Sequence, residues 1–395
     1  MMLKESNLKD KRVIIRADFN VPIVDGEITN NHRILKILPT INLCLEKGAS
    51  IILISHLGRP EGAVSNLSLL PVCDELERLL DKNIYFSDSC ISNKAFIKSS
   101  SLKEGEIHLL ENLRFHSGEN QNCPEFSKKL SFHGDVYIND AFGTAHREHA
   151  SNVGLAKLFS EKYYGLLIEK ELHYLKESIL EPVRPMTIVM GGAKIDGKIE
   201  LIEKFLSIAD NLLIGGALSL PFLKCKGINI ESTLVNNKSV SIAERLLDIA
   251  KIKGKEIILP TDLVTAKSLE NIDSINIKLL RDIKADENCY DIGPETTMIF
   301  SQILSKSETI LWNGPLGVSE NPYFGTGTQQ ICRIIEELTK NGIISILGGG
   351  DTASAAKRFS TSNKFTHIST GGGSSLELLS GKELPALKAI GYYDK

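Results

Sequence analysis

Short apolar runs of four to six residues recur along the whole 395-residue chain, and most are followed by a loop signal and then an amphipathic segment. A strand covered on both faces reads as an unbroken apolar run, and the next parallel strand is reached only by a crossover, usually a helix. The pattern therefore predicts buried parallel strands alternating with helices. In the first half the strands, with the loops that follow them, are RVIIRADFN (12–20), SIILISHLGRP (50–60), NIYF (83–86), IHLLENLRF (107–115) and DVYINDAFG (135–143). In the second half they are MTIVMGGAK (186–194), NLLIGGAL (211–218), EIILPTDLV (256–264), ETILWNGPLG (308–317), IISILGGGD (343–351) and FTHISTGGG (365–373).

The segments between them keep the helical period. Ile34, Leu35, Leu38 and Ile41 share one face after the first strand, with Pro39 expected to kink that helix, and Ile199, Ile202, Phe205, Leu206 and Ala209 share a face after 186–194. At roughly 150 residues per domain, the length suits two or three domains. The stretch YYGLLIEKELHYLKESILEPVRP (163–185) has a long helical pattern, reads as free of strand and ends in two prolines. The expected fold class is therefore α/β: two doubly wound, Rossmann-like parallel-sheet domains, 1–168 and 169–381, joined by a hinge helix.

Composition narrows the function. Hydrophobic residues make up 42% and charged residues 24%, enough for a sizeable core. The formal charge is −3 and no block of five like charges occurs, so neither nucleic acid nor a membrane surface is an expected partner. The 7 cysteines are scattered and never spaced C-x-x-C, which fits free thiols in a reducing compartment. With no apolar leader region and no run long enough to span a bilayer, a cytoplasmic location is expected.

Ligands of open parallel sheets bind beyond the carboxyl ends of the strands. In the first half those ends carry Arg59, Arg114 and Arg147, with Arg33 opening the first helix, His56, His146 and His149 interleaved, and Asp18 and Asn20 able to accept from a substrate hydroxyl. Guanidinium forks match carboxylate and phosphate, so convergence of these arginines would make a multivalent oxyanion site. Arg16, nearer the strand interior, reads as a structural partner of Asp18.

In the second half the strand ends carry glycines. MGGAKIDGKIE (190–200) follows Gly191 and Gly192 with Lys194 and Lys198 at a helix start, a setting for phosphates although not a P-loop. ILGGGDTASA (346–355) places Gly348, Gly349 and Gly350 before Asp351 and Thr352; Asp351 suits either a helix N-cap or a magnesium ligand. STGGGSSLELLSG (369–381) sets Gly371, Gly372 and Gly373 before a capping-box pattern of Ser374 with Glu377. LWNGPLGVSE (311–320) adds Asn313 and Glu320 as polar groups able to reach a nucleotide.

Taken in order, RADFNVP (16–22), SHLGRP (55–60), LLENLRF (109–115), NDAFGTAHREHAS (139–151), GGAKIDGKI (191–199), LWNGPLGV (311–318), GGGDTASA (348–355) and STGGGSSLELLSGKELPAL (369–387) closely resemble the phosphoglycerate kinases, nearly end to end. The resemblance implies 3-phosphoglycerate on an N-terminal domain, held by Asp18, Asn20, Arg33, His56, Arg59, Arg114 and Arg147. It implies ATP or ADP with Mg2+ on a C-terminal domain, held by Gly191, Gly192, Lys198, Gly215, Asn313, Glu320, Asp351, Thr352 and the glycine triplets. Asp351 would reach the metal and Glu320 the ribose. It further implies a monomer that closes by a hinge, with a C-terminal tail of about 382–395 folding back onto the first domain.

The expected reaction passes the γ-phosphoryl of ATP to the carboxylate of 3-phosphoglycerate, in reverse the ATP-forming step of glycolysis, with Arg33 and Lys194 on the transferring group. Gly197 stands where the family usually has Asp, GGALSLPFL (215–223) replaces a more usual GGGMAYTFL, and Glu148 replaces a common Ala. Two other classes stand against this one. A noncatalytic nucleotide-binding paralogue is opposed by intact Arg33, Lys194 and Asp351, and a dinucleotide oxidoreductase by the lack of a G-x-G-x-x-G after a strand.

Overall fold

The computed structural model describes residues 3–193, 195–230 and 235–394. The chain divides into two compact units, Met1–Leu172 with Lys382–Lys395, and His173–Gly381. Each is built on a six-stranded sheet. In the first unit the spatial order is Ile84–Ser87, Ile107–Leu110, Ser50–Ile54, Arg12–Arg16, Val136–Asn139 and Lys162–Tyr164, with every pairing parallel. In the second it is Ile257–Ile258, Asn211–Ile214, Met186–Met190, Thr309–Asn313, Ile344–Gly348 and His367–Ile368, again all parallel.

These orders fix where ligands can enter. The first unit builds outward from Arg12–Arg16 to one side and then returns to add Val136–Asn139 on the other, so the loops after these strands diverge. The second does the same at Met186–Met190 and Thr309–Asn313. Such switch points open a crevice at the strand ends.

The apolar runs are buried as their lack of alternation requires: all residues of Ser50–Ile54 and of Thr309–Asn313 are inside. Several details differ from the sequence expectations. In the helix His32–Glu46 the buried stripe is Ile34, Ile37, Thr40, Ile41 and Cys44, and Leu35 is 43% exposed, because it lies about 100° around the axis from Ile34. Pro39 sits within this helix on its solvent side. The 163–185 stretch is not free of strand: Lys162–Tyr164 pairs with Tyr137–Asn139, and helix begins only after Gly165, at Leu166–Leu172, continuing as a π turn over His173–Glu177 and one α turn at Ser178–Leu180.

EIILPTDLV is two strands. Pro260 offers no N–H to a ladder, and on its two sides Ile257–Ile258 edges the large sheet while Asp262–Ala266 is the centre of an antiparallel sheet with Asn276–Leu279 and Asn288–Ile292. A small hairpin, Ile23–Val24 with Glu27–Ile28, turns through Asp25 (φ 50°) and Gly26 (φ 83°). Its Asp-Gly pair is the type I′ signal that could have revealed it in the sequence.

One buried polar chain crosses the edge of the first sheet. His133 Nε2 lies 2.9 Å from the Cys90 carbonyl, an acceptor only, so His133 Nδ1 carries no proton and accepts from Ser99 Oγ at 2.6 Å. Ser99 Oγ then accepts from His108 Nδ1 at 2.9 Å, and Ser87 Oγ donates to His108 Nε2 at 2.8 Å. Both rings are neutral, burial lowering His108 to about 3 and His133 to about 4. Folded pKa values below the unfolded ~6.5 mean that the stabilisation is full above pH ~6.5 and fades as pH falls toward 4, by up to about 1.4 kcal/mol per pH unit for each proton taken up. Urea unfolding between pH 7 and 4 should show this slope, and His108→Leu should flatten it; an equal slope in the variant would refute the account.

Candidate active site

The loops at the first switch point bring the sequence-predicted residues together in two linked groups. In one, Arg33, in the first turn of its helix, gives Nη1 to both Asp18 carboxylate oxygens and to the Asn20 carbonyl, each at 3.1 Å. Asp18 thus pairs with Arg33 and not with Arg16. Asn20 Oδ1 accepts from Gly58 N at 2.9 Å, and Gly58 O accepts from Arg114 Nη1 at 2.6 Å. Gly58 sits at φ 62°, where a Cβ would also press to 2.8 Å from the Leu67 side chain, so glycine is favoured at this link.

The second group encloses a pocket of about 280 Å³ lined by Arg59, Pro60, Arg114, Asn120, Arg147 and His149. Arg59 and Arg147 are exposed, and among the described residues their guanidinium groups make no hydrogen bond or ion pair. Among the described residues Arg114 Nε and His149 Nδ1 are buried without a hydrogen-bond partner, although Glu119 Oε1 faces His149 Nδ1 at 3.8 Å. A buried polar atom left unmet costs free energy, so Arg114 Nε, on a lining residue, marks a place where a ligand is expected. Burial, then Arg114, Arg16, Arg147 and His146, pushes His149 down to about 4. Burial and the charges of Arg16, Arg114, Arg33 and His149 hold His56 well below its usual range. The positive charge at the pocket is therefore that of arginines, and no lining residue is acidic.

Of the lining residues, Arg59, Arg114 and Arg147 were expected from the sequence, Asn120 and Pro60 were not, and His149 carried no assigned role. His56 is almost fully buried and is not among the lining residues; it lies against Arg16.

At the second switch point the glycines first serve backbone packing. Gly191 N donates to Asn313 O and Gly192 N to Pro315 O, each at 2.9 Å. A Cβ on Gly191 would lie 2.0 Å from the Pro315 carbonyl oxygen, and one on Gly314 2.4 Å from that of Gly191. Gly215 is closed in by Leu316, at 2.8 Å from a Cβ there. Asn313 is buried, donating to Gly348 O at 2.9 Å and accepting from Lys198 Nζ at 3.1 Å. Thr352 Oγ1 donates to Gly348 O at 2.6 Å and accepts from Gly314 N at 2.7 Å. Both side chains tie neighbouring loops together.

Lys198 Nζ also donates to Gly191 O at 2.5 Å; burial lowers its pKa to about 8 against the opposing pull of Asp351. Asp351 and Glu320 are exposed; Asp351 has no hydrogen bond or ion pair among the described residues, and Glu320 is met only by Ser319 Oγ at 3.4 Å. Lys194 lies outside the described residues.

Asp351 is not an N-cap. The cap of Gly350–Phe359 is Gly349 at φ 94°, a conformation an aspartate side chain would strain, and Asp351 falls in the first turn. Ser374 is likewise inside Gly373–Leu379, whose cap is Gly372 at φ 50°, so the capping box does not form. Gly371 is buried, while Gly350 and Gly373 are exposed at the starts of these two helices.

A family model for phosphoglycerate kinase matches residues 3–382. The chain belongs to the phosphoglycerate kinase family. The phosphoglycerate kinase of Thermosipho africanus is 45% identical over 392 residues, covering 99% of this chain and 97% of its own, and that of Thermosynechococcus vestitus is 43% identical over 389 residues, covering 98% and 97%. The solved phosphoglycerate kinase of Coxiella burnetii matches all of both chains with a TM-score of 0.89 at 34% identity. That of Pyrococcus horikoshii does so with 0.84 at 30%.

Against the phosphoglycerate kinase pattern, the departures are locally accommodated. Gly197 lies in a 3-10 turn, and a Cβ there would meet nothing within 4 Å. Leu218, Ser219 and Leu220 of the altered 215–223 segment are buried, so the change repacks an interior. Glu148 is exposed and forms no ion pair with Arg147.

Proposed function

We propose that this chain catalyses the reversible, magnesium-dependent transfer of a phosphoryl group between ATP and the carboxylate of 3-phosphoglycerate, giving ADP and 1,3-bisphosphoglycerate. The observation that carries the reading is the pocket of Arg59, Arg114 and Arg147, with the buried Arg114 Nε left without a hydrogen-bond partner among the described residues. Its size and charge suit a phosphate monoester, with Asp18, Asn20, Arg33 and His56 serving the rest of the acid. Family membership supports the same substrates.

The unit Met1–Leu172 with Lys382–Lys395 is assigned the acid, and His173–Gly381 the nucleotide. There the exposed Gly350 opens a helix whose N-terminus favours phosphate, with Lys198 near enough to feel the charge of Asp351 in its first turn, and Glu320 for the ribose. A single exposed, unengaged carboxylate is how magnesium is commonly held alongside substrate phosphates, and Asp351 fits that description. Mg2+ would neutralise phosphate charge there. Lys194 keeps its assignment to the transferring phosphoryl. A monomer in the cytoplasm completes the proposal; among the described residues no helix is long and apolar enough to cross a membrane.

A carboxylate is already a nucleophile at neutral pH, so no general base is needed and catalysis reduces to positioning and charge neutralisation. Incubation with MgATP and 3-phosphoglycerate in the presence of hydroxylamine should trap the acyl phosphate as a hydroxamate. No hydroxamate from protein that binds MgATP would reject the proposal.

The depressed Lys198 has a visible consequence. Its ammonium charge fades as pH rises through about 8, whereas a bound phosphate would hold the proton longer. MgADP affinity measured by calorimetry should therefore weaken from pH 7.5 to 9.5, and Lys198→Arg should remove the trend. A pH-independent affinity in the native protein would take Lys198 out of the phosphate site.

A further inference from the structure

Behind the anion pocket, two fully buried charges face each other across one hydroxyl. Arg16 and Glu119 are both 0% exposed, and neither lies within ion-pairing distance of the other. Arg16 Nε donates to Ser151 Oγ at 2.9 Å; Ser151 Oγ donates to Glu119 Oε1 at 2.6 Å; Ser151 N donates to Glu119 Oε2 at 2.9 Å. On its far side Arg16 Nη2 lies 3.3 Å from His56 Nδ1.

The two ends settle every proton between them. A guanidinium only donates and a carboxylate only accepts. Ser151 therefore receives from Arg16 and must aim its own hydrogen at Glu119. His56 Nδ1 must be the unprotonated nitrogen, which leaves the hydrogen on Nε2. An Nε2–H can donate to an anion, whereas the other tautomer would leave a lone pair on that nitrogen.

We propose that Glu119 and Ser151 are positioning residues of the anion site, acting through Arg16 to hold His56 as its Nε2–H tautomer. The proposal rests on the assignment of that site to 3-phosphoglycerate. Neither residue lines the pocket. Glu119 Oε1 also lies 3.8 Å from His149 Nδ1, so the same carboxylate backs a pocket-lining ring.

The test uses the full chain labelled with nitrogen-15 histidine. Native His56 is expected to show a protonated Nε2 and a bare Nδ1. In Glu119→Gln one of the two oxygens that accept from the N–H and the O–H of Ser151 becomes an NH2, which only donates, and in Ser151→Ala the hydroxyl is gone while the backbone bond to Glu119 stays. With Arg16 Nε no longer anchored, both should let Arg16 Nη2 move off His56 Nδ1, shift His56 toward a mixed tautomer and raise the Kd for 3-phosphoglycerate about 10- to 100-fold. The Kd for MgADP should not move. A native His56 protonated on Nδ1 overturns the relay without need of any variant. Variants that leave both the tautomer and the 3-phosphoglycerate Kd unchanged overturn it as well. A native protein that binds no 3-phosphoglycerate would instead refute the functional assignment, and the tautomer would still decide the relay.

Discussion

Arg33→Ala is expected to lower kcat by about 10²- to 10³-fold with a smaller change in KM. The acceptor carboxylate supplies its own nucleophile, so what remains for the protein is to hold the reactants and to neutralise charge that builds on the transferring phosphoryl. Arg33, the residue proposed for this, is held at the start of its helix by three hydrogen bonds from one nitrogen, and the rest of its fork makes none among the described residues. Its side chain is 37% exposed, so the group is accessible to a substrate while braced by Asp18. Arg33→Lys should recover only part of the loss, because an ammonium lacks the planar fork. Steady-state rates beside a urea unfolding curve separate chemistry from folding, since removal of Arg33 also leaves the buried Asp18 without its ion pair. Near-native kcat in a folded Arg33→Ala protein would remove this residue from the chemistry.

The second large effect concerns the fold of the nucleotide-side unit. Gly191→Ala should destabilise it by about 3 kcal/mol or more. The added methyl would lie 2.0 Å from Pro315 O and 2.8 Å from Gly314 O. These are backbone atoms of a neighbouring strand end, so no side-chain rotation relieves the clash. Any retreat would also stretch the bonds from Gly191 N to Asn313 O and from Gly192 N to Pro315 O. Gly197→Ala is the matched control: its Cβ position is open, and the substitution should be neutral or slightly stabilising. Equal urea midpoints for the two variants would show that the strand ends can part at little cost.

How much of the site could be read in advance depended on the kind of signal. Arg59, Arg114 and Arg147 were legible because each follows a recognisable strand, and strand ends of a doubly wound sheet converge by geometry. Asn120 was not, since its place in the pocket comes from a short helix, Ser117–Asn120, with no periodicity of its own. Glu119 and Ser151 lie 32 positions apart and belong to no common motif. The glycine runs showed where backbone would approach backbone or phosphate, but not which of the two applied to each residue.

The same division holds for the fold. Short unbroken apolar runs suit strands covered on both faces, and their regular alternation with amphipathic segments already implies parallel α/β layers, because burial is a property each segment carries in its own composition. The edge pairing of Lys162–Tyr164, the splitting of 256–264 between two sheets, the identity of the caps at Gly349 and Gly372, and the tautomer of His56 were decided only by the tertiary structure. Each depends on a partner distant in sequence or on a backbone angle set by its neighbours, and neither is encoded in the residue types taken alone.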